Sequence, residues 1–339
     1  MKRLRHAPWL LAALGLAGTA LAAPSTHIVC PADGPQSDCG YIGDGGIQSA
    51  IDAASNGDAV MIRAGRYTAA AFRDVPYKEH TIRGFVVVDG KDLVIAGEPG
   101  AILDGTTGPP TTAIVVRRAA VTIRGLTLTG FRFDVQEDEI YEGHGLFVID
   151  GRVRAQDLTI SKFQKMGLIG RGTSELEASN LSIVDGHVGI WLHETAYLRL
   201  TDSIVSRNDS SAIAAYDNSV AHVSHSAFEG NLDDGLFSEH EATIYVTNSL
   251  ILRNKPYGAR AVGDSRIWLG YSVLFGNERD TTSKRGRARV RRGPNVFMAD
   301  PGVGPDYRLP PGSTLAGKGD PDLGDPVGAP SEIGPRPRR

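Results

Sequence analysis

The sequence predicts an all-β fold, a right-handed parallel β-helix of three sheets with a short N-terminal capping helix. One observation is that similar residues recur every 22 or 23 positions, and another is that apolar and polar residues alternate inside each repeat. The recurring positions form three columns: Asp185, Asn208, Asn231, Asn254 and Asn277; Ser203, Ser226, Ser249 and Ser272; and Gly167, Gly189, Ala212, Gly235 and Gly258.

Each repeat divides into three short strands. In one repeat the first strand covers 189–193, the second covers 198–200 and the third begins at 204. The second strands place apolar residues inward and mostly polar or aromatic residues outward, the outward ones being Glu177, Arg199, His222, Tyr245 and Trp268. A repeat of this length has no room for helical crossovers, so each strand is expected to stack on its equivalent one turn earlier.

Three further features belong to this fold. The Asn column is expected to supply the left-handed backbone of a sharp bend and to bond to the Asn one rung away. Earlier apolar segments at 85–88, 93–95, 113–116, 121–123 and 126–128 extend the solenoid less regularly. The amphipathic segment 47–54 predicts one helix that caps the N-terminal end of the core.

The two ends of the chain are predicted to lie outside the β-helix domain, which covers 24–320. Residues 1–23 have the pattern of a signal peptide, with Lys2, Arg3 and Arg5 before a short apolar run and small residues at the cleavage site. Residues 321–339 form a Pro- and Gly-rich tail that is expected to be poorly ordered. No later segment is long enough to cross a bilayer. The sequence therefore predicts an exported monomer, periplasmic or extracellular.

Charge and cysteine content restrict the chemistry. The formal net charge is −3 and becomes more negative once the signal peptide is removed, which argues against a nucleic-acid partner. Cys30 and Cys39 are predicted to form a disulfide, as expected for a close pair in an exported protein. Free thiols are the less favoured alternative, and metal binding there has little support.

Segments at both ends of the solenoid resemble a known family. Residues 47–54, 57–60 and 65–67 resemble the N-terminal signature of pectin-lyase-like β-helix proteins, and residues 297–313 resemble the closing segment of bacterial members. The resemblance covers roughly 40–320 and implies a right-handed parallel β-helix. Because the superfamily includes lyases, hydrolases, epimerases and noncatalytic members, it does not imply one activity.

Signatures of individual subfamilies do not match. Polygalacturonase-like hydrolases carry an acidic pair followed by Gly-His-Gly, whereas here Gly143-His144-Gly145 precedes Asp233-Asp234. The signature of alginate epimerases is absent as well. The subfamily stays unassigned.

Outward positions of the first strands define the candidate site as two ladders. They are Phe147, Ile169, Trp191, Ala214, Phe237 and Arg260, and Ile149, Arg171, His193, Tyr216, Glu239 and Val262. Rungs of a sheet are about 4.8 Å apart, so four consecutive residues of the second ladder span roughly 15 Å, enough for a short oligosaccharide.

These residue types suit removal of a proton beside a uronate carboxylate. Arg171 is the candidate cation, His193 the base and Tyr216 the acid. Trp191 and Phe237 are candidate platforms for sugar rings, and Glu239 and Arg260 are further substrate-binding candidates. Polar and aromatic outward positions also occur on β-helices without any function, so this site is a hypothesis.

Three functions stay open at this point. The first is a polysaccharide lyase or epimerase acting on an acidic, uronate-containing glycan. The second is a noncatalytic β-helix that binds polysaccharide or stabilises an envelope or matrix, and the third is a glycoside hydrolase using Asp233, Asp234 or Glu239. No cofactor is required. Calcium is left open, with Asp233 and Asp234 as weak ligand candidates beside their ordinary role in a turn.

Two charged insertions have separate alternatives. Residues 131–144 carry Asp134, Glu137, Asp138, Glu139 and Glu142, and are predicted to bind calcium, form a lid or remain a solvated acidic loop. Residues 284–292 carry six cations and are predicted to be a polyanion site or a flexible solvated loop.

Overall fold

A computed structural model describes residues 23–136, 140–323 and 330–336 of the chain. The predicted signal peptide, apart from Ala23, lies outside the described residues, as do Glu137, Asp138 and Glu139 of the acidic insertion. Within the described ranges, no helix is both long and apolar enough to span a membrane.

The chain winds into three parallel sheets, numbered by the order of their strands within a repeat. Sheet 1, in stacking order, contains Ile140–Tyr141, His80–Asp89, Thr112–Arg117, Leu146–Ile149, Met166–Arg171, Val188–Leu192, Ile213–Ala215, Leu236–Ser238, Tyr257–Val262 and Arg279–Lys284, with Arg73–Tyr77 antiparallel to His80–Asp89. Sheet 2 contains Tyr41–Ile42, Thr26–Cys30, Ala59–Ile62, Leu93–Gly97, Ala120–Arg124, Arg152–Gln156, Glu175–Ser179, Tyr197–Thr201, Val220–Ser224, Thr243–Thr247, Arg266–Gly270 and Arg289–Arg292. Sheet 3 contains Gly65–Thr68, Ala101–Asp104, Thr127–Thr129, Thr159–Ser161, Ser182–Val184, Ile204–Ser206, Ala227–Glu229, Leu250–Leu252 and Val273–Phe275.

The repeat register is the one that the sequence predicts. Leu198 pairs with Ala221, and Ala221 pairs with Ile244, so each second strand stacks on its equivalent one turn away. These inward residues are fully buried in one core that extends along the solenoid. The predicted earlier segments are strands of the same three sheets.

The Asn column forms a buried hydrogen-bond ladder. The side-chain amide of Asn208 donates to Asn231 Oδ1 at 3.0 Å, Asn231 donates to Asn254 at 2.9 Å, and Asn254 donates to Asn277 at 3.1 Å. The predicted bond between neighbouring rungs is therefore confirmed.

The backbone expectation for the Asn column is wrong. The left-handed residue is the one before each Asn, at Arg207, Gly230, Arg253 and Gly276, with φ between 53° and 69°. Only Asp185, at the first position of the column, is itself left-handed, with φ 58°. The Asn residues recur because their amides satisfy buried backbone groups of adjacent rungs.

The N-terminal cap is confirmed, as is the disulfide. Helix Gly46–Ala53 buries Ile47, Ala50 and Ile51 against the first turns. Cys30 and Cys39 are disulfide-bonded beside it.

The C-terminal segments are more ordered than expected. The basic segment begins at Lys284, the last residue of the final strand of sheet 1, and its residues Arg289–Arg292 form the final strand of sheet 2, with Arg289 paired with Arg266. The flexible-loop interpretation is wrong for these residues. A short 3-10 helix covers Pro321–Leu323. Residues 330–336 pack on the solenoid, where Ile333 is buried and Arg336 binds Asp202. This part of the tail contradicts the expectation of disorder.

Candidate functional site

The outer face of sheet 1 is covered at one end by a β-hairpin. Residues 73–84 fold back over the sheet, and Val75 and Ile82 of this hairpin form an apolar cluster with Phe147, Ile149 and Ile169. These rungs are therefore closed to a ligand. The uncovered part of the face begins with Arg171, at the end of the strand Met166–Arg171, and with Trp191 on the next strand, and we call it the groove.

The structure confirms the register of both predicted ladders in the groove. Trp191 pairs with Ala214, Ala214 with Phe237, and Phe237 with Arg260. The second ladder continues just past the strand ends. There His193 N donates to Gly170 O, Tyr216 N to Leu192 O and Glu239 N to Ala215 O, at 2.9–3.1 Å. Arg171, His193, Tyr216 and Glu239 thus lie on successive rungs.

Aromatic rings pack closely at the centre of the groove. The Trp191 and Tyr216 rings stack with centroids 4.6 Å apart, and the His193 ring lies 5.7 Å from that of Tyr216. Ala214 stands between the rungs of Trp191 and Phe237, and its small side chain leaves room for Tyr216 to lean across the sheet. The Trp191 indole Nε1 is buried without a hydrogen-bond partner among the described residues.

His193 is held next to a carboxylate that the sequence interpretation missed. Its Nδ1 lies 2.8 Å from Oδ2 of Asp217, at an angle that does not meet hydrogen-bond geometry, and His240 Nδ1 lies 3.1 Å from the other oxygen. Burial lowers the pKa of His193 below its ordinary value, and Arg171 lowers it further, while Asp217 opposes both. The imidazole is therefore neutral near pH 7 and can accept a proton.

Arg171 and Tyr216 flank this imidazole with complementary properties. The Nε of Arg171 is buried without a hydrogen-bond partner among the described residues, and its positive charge lowers the pKa of both His193 and Glu194. Burial, together with the charges of Glu239 and Asp233, raises the pKa of Tyr216 to about 12, so its hydroxyl keeps its proton. The three residues offer a cation, a neutral base and a proton donor on adjacent rungs.

The expected platform at Phe237 is not open. Phe237 is 7% exposed, because the Arg260 guanidinium lies 4.6 Å from its centroid and the Tyr216 ring packs edge-on at 5.5 Å. A sugar ring cannot stack directly on Phe237 in this arrangement. The prediction of a Phe237 platform is therefore corrected, whereas Trp191 and Tyr216 remain partly exposed.

Arg260 is already engaged by the acidic pair. Its Nε contacts Oδ2 of Asp234, and its terminal nitrogen lies 3.5 Å from Asp233. Asp234 is fully buried, and burial raises its pKa to about 7 against the opposing effect of Arg260. No group of three or more His, Cys, Asp and Glu that could hold a metal ion occurs among the described residues. Asp233 and Asp234 as calcium ligands, and Arg260 as a substrate contact, stay predictions.

The hairpin tip forms an end wall that the repeats did not predict. Tyr77 donates its hydroxyl to Glu194 at 3.3 Å, and Lys78 forms an ion pair with the same carboxylate. Glu194 also accepts from the amide of Gly172. Burial acts to raise the pKa of Glu194, but these contacts outweigh it, and the net shift is downward. A signal for this turn existed, since Glu194, Asp217 and His240 are spaced by 23 residues.

The acidic insertion packs beside the hairpin. The strand Ile140–Tyr141 pairs with Thr81–Ile82 of the hairpin, and Glu142 is buried with its Oε1 accepting from Asp134 N at 2.7 Å. The interpretation of a solvated acidic loop is therefore wrong at Glu142, which is buried. Calcium binding and lid motion remain predictions for this insertion.

Comparisons with known proteins match the fold. A family model described as the right handed beta helix region matches residues 112–273, in agreement with the predicted handedness. The crystal structure of pectate lyase Pel9A superposes with a TM-score of 0.59 at 13% identity, covering 94% of this chain and 98% of the lyase. At that identity the similarity shows the fold alone.

Two other solved structures superpose less well. The A-module of mannuronan C-5 epimerase AlgE6 from Azotobacter vinelandii has a TM-score of 0.45 at 16% identity, covering 76% of this chain and 78% of the module. An alginate lyase from Paenibacillus sp. str. FPU-7 has a TM-score of 0.40 at 14% identity, covering 78% of this chain and 99% of the lyase. A search among curated proteins found no match.

Proposed function

The chain has the pectin-lyase-like right-handed parallel β-helix fold, and from this premise we propose that it is an exported enzyme acting on a uronate-containing polysaccharide, as a lyase or an epimerase. The observation that carries the proposal is the neutral His193 between Arg171 and a protonated Tyr216 on successive rungs of the groove. The disulfide between Cys30 and Cys39 supports export.

The proposed chemistry begins at the carbon that bears the uronate carboxylate. Arg171 binds the carboxylate and stabilises the negative charge that develops when this carbon loses its proton. His193 takes the proton on Nε2, since the charge of Asp217 favours the tautomer with hydrogen on Nδ1.

The fate of the resulting carbanion separates the two reactions. In elimination, the electron pair forms a double bond between C4 and C5, the C4–O bond breaks, and Tyr216 gives its proton to the leaving oxygen. In epimerisation, a proton returns to C5 on the opposite ring face, and no glycosidic bond breaks. Trp191 can hold the sugar ring in either case, since its side chain remains partly exposed.

The hydrolase alternative has weaker support. It needs a carboxyl group beside the glycosidic oxygen, and Asp234 is fully buried under Arg260. Asp233 and Glu239 remain partly exposed, so they are the carboxylates on which this alternative depends. A noncatalytic polysaccharide-binding role uses the same groove without the proton transfer.

The test is incubation with polygalacturonate and polymannuronate, followed by absorbance of unsaturated uronate ends and by proton exchange at C5. We expect one of these signals from the native protein and a loss of at least about 100-fold in His193→Ala, the contribution of a general base. His187→Ala is the matched control, because His187 also contacts an aspartate, Asp209, but is half exposed outside the groove.

Other outcomes decide between the alternatives. Reducing ends without unsaturated ends would favour hydrolysis. Binding with neither signal would favour the noncatalytic role. Full activity of His193→Ala would show that the proposed mechanism is wrong.

A further inference from the structure

A second outward column, on sheet 2, is separate from the groove. Arg199 pairs with His222, His222 with Tyr245, Tyr245 with Trp268, and Trp268 with Arg291. We call these five residues the sheet 2 column. Its four steps extend over about 19 Å along the solenoid.

The two large rings of this column are open to solvent. Tyr245 is 41% exposed and Trp268 is 36% exposed. Neighbouring rungs hold the rings, since His222 stacks on Tyr245 with centroids 4.7 Å apart and the Arg291 guanidinium lies 4.8 Å from the centroid of Trp268. The rings are therefore ordered before any ligand arrives, which lowers the entropic cost of binding.

Four residues of the column, all except Arg291, form the floor of a cavity of about 410 Å³. One wall comes from the C-terminal segment, through Asp320 and Leu323. Beside this wall runs a column of hydroxyl side chains, those of Thr201, Ser224 and Thr247, and Asp320 N donates to Oδ1 of Asn248, the residue after Thr247, at 2.7 Å. Apolar ring faces beside hydroxyl groups suit a sugar ring, which has C–H faces and a hydroxyl rim.

Charge on this face differs between its two halves. Toward the N-terminus, two outward cations are neutralised across rungs, because Arg152 pairs with Glu175 and Arg154 pairs with Glu177. Arg199 and Arg291 form no ion pair in the described ranges 23–136, 140–323 and 330–336, and Glu177, on the rung next to Arg199, is paired with Arg154.

Asp320 on the cavity wall makes no ion pair with either cation among the described residues. Its Oδ1 accepts from the amide of Asp322 within the wall itself. The cavity therefore has aromatic rings at its centre and Arg199 at one end, while Arg291 lies outside its lining, against the Trp268 ring.

We propose that the sheet 2 column is a second glycan-binding surface, which holds an acidic oligosaccharide with its sugar rings on Tyr245 and Trp268 and its carboxylates toward Arg199 and Arg291. The argument comes from this face alone and does not need catalysis in the groove. An exposed aromatic pair with flanking arginines favours a ligand that has both an apolar ring face and negative charge.

The test is calorimetric titration of the full chain with hexagalacturonate and hexamannuronate, with cellohexaose as the neutral comparison. The His193→Ala chain is used, so that ligand turnover does not enter the measurement. We expect acidic hexamers to bind with a stoichiometry above one, since the groove and sheet 2 each take one. Trp268→Ala and Tyr245→Ser should each weaken the sheet 2 event at least about 10-fold.

Arginine variants provide a matched pair in the same column. Arg291→Ala should weaken binding of the acidic hexamer and reduce its salt dependence, whereas Arg154→Ala should do neither, because Arg154 is already paired with Glu177. Thermal unfolding checks that each variant is folded. The assays for unsaturated ends and for proton exchange at C5 in the native protein report on the groove alone, so a failure of one proposal is separable from a failure of the other.

Several results would overturn the proposal. Unchanged binding in both Trp268→Ala and Arg291→Ala would do so, as would equal affinity for cellohexaose or for hexauridylate. A change of oligomeric state in Trp268→Ala, with no change in sugar binding, would identify a second copy of the chain as the occupant instead.

Discussion

At the residue scale, the environment of His193 decides how it acts. Burial and Arg171 lower its pKa, whereas the Asp217 carboxylate raises it. Asp217→Asn removes the opposing charge, so the pKa of His193 falls further. The acid limb of kcat/KM against pH should therefore move to lower pH. We also expect kcat/KM on the uronan substrate to fall by about 10-fold to 100-fold, since the negative charge that favours hydrogen on Nδ1 and stabilises the protonated imidazole is lost.

The matched control for this prediction is Asp209→Asn. Asp209 also contacts a histidine ring, that of His187, but both residues lie on an exposed turn outside the groove. Its pH profile should coincide with that of the native protein. If Asp217→Asn lowered activity without moving the acid limb, Asp217 would have a structural role and not a positioning one.

His144 makes the stability of the fold dependent on pH. It is buried, its Nδ1 accepts from Met166 N at 3.3 Å, and burial lowers its pKa well below the ordinary value. As pH falls through 6.5, the unfolded chain binds a proton that the folded chain does not, so stability is lost on acidification and regained as pH rises.

The change that isolates this effect is His144→Asn, whose side-chain oxygen can keep the contact with Met166. Between pH 7 and 5, the free energy of unfolding measured with urea should fall less steeply than in the native protein, by up to about 1.4 kcal/mol per pH unit at the acid end. His187→Asn, at an exposed position, serves as the control. An unchanged slope in His144→Asn would mean that His144 is protonated in the folded chain.

At the element scale, the Asn ladder ties successive turns together. Asn231 accepts from the amide and the side chain of Asn208 and donates to Val205 O and Asn254 Oδ1. Asn231→Ala leaves these buried groups without partners, which should lower the free energy of unfolding by about 3 kcal/mol. Asn218→Ala, at an exposed position, should change it by less than about 0.5 kcal/mol. Urea unfolding of both variants distinguishes them, and equal effects would contradict the ladder.

Elements inside the repeats could be predicted from the sequence because each strand contacts its equivalent about 23 residues away. Alternation gave the inward face, as at Leu198 and Ala221, and the column spacing gave the rung of every candidate site residue. The sequence does not settle the backbone of the Asn column, because an Asn in a bend can recur either for its left-handed backbone or for the hydrogen bonds of its side-chain amide. The structure shows that Arg207 has the left-handed backbone and that Asn208 forms the side-chain hydrogen bond of the ladder.

Elements outside the repeats could not be predicted in this way. The hairpin that covers part of sheet 1 is not part of the 23-residue repeat. The contact that holds its tip joins Lys78 to Glu194, which are 116 positions apart in the sequence. Phe237 is buried because the Arg260 side chain lies over its ring. Alternation predicts on which face of the sheet a side chain lies, but not which neighbour covers it. The groove is therefore shorter than the ladders suggested, and its end wall is contributed by a distant part of the chain.

At the scale of the whole molecule, the solenoid presents two different outer faces over the same rungs. The turn that carries His193 and Glu194 leads directly from sheet 1 into Tyr197–Thr201 of sheet 2. The proposed groove and the sheet 2 column are thus connected through one short turn per repeat. A polymer that leaves the groove can therefore reach the second surface without crossing the rest of the molecule.

This arrangement predicts that affinity depends on polymer length. Once one part of a polyuronate is bound in the groove, the rest of the polymer is held near the sheet 2 column at a high effective concentration. The polymer should therefore bind at least about 10-fold more tightly than the hexamer. Trp268→Ala should remove most of this difference, whereas Arg154→Ala should leave it unchanged, since Arg154 is paired with Glu177. Surface plasmon resonance with immobilised protein and ligands of graded length measures the ratio. The same ratio in Trp268→Ala as in the native protein would show that the two faces do not share one polymer.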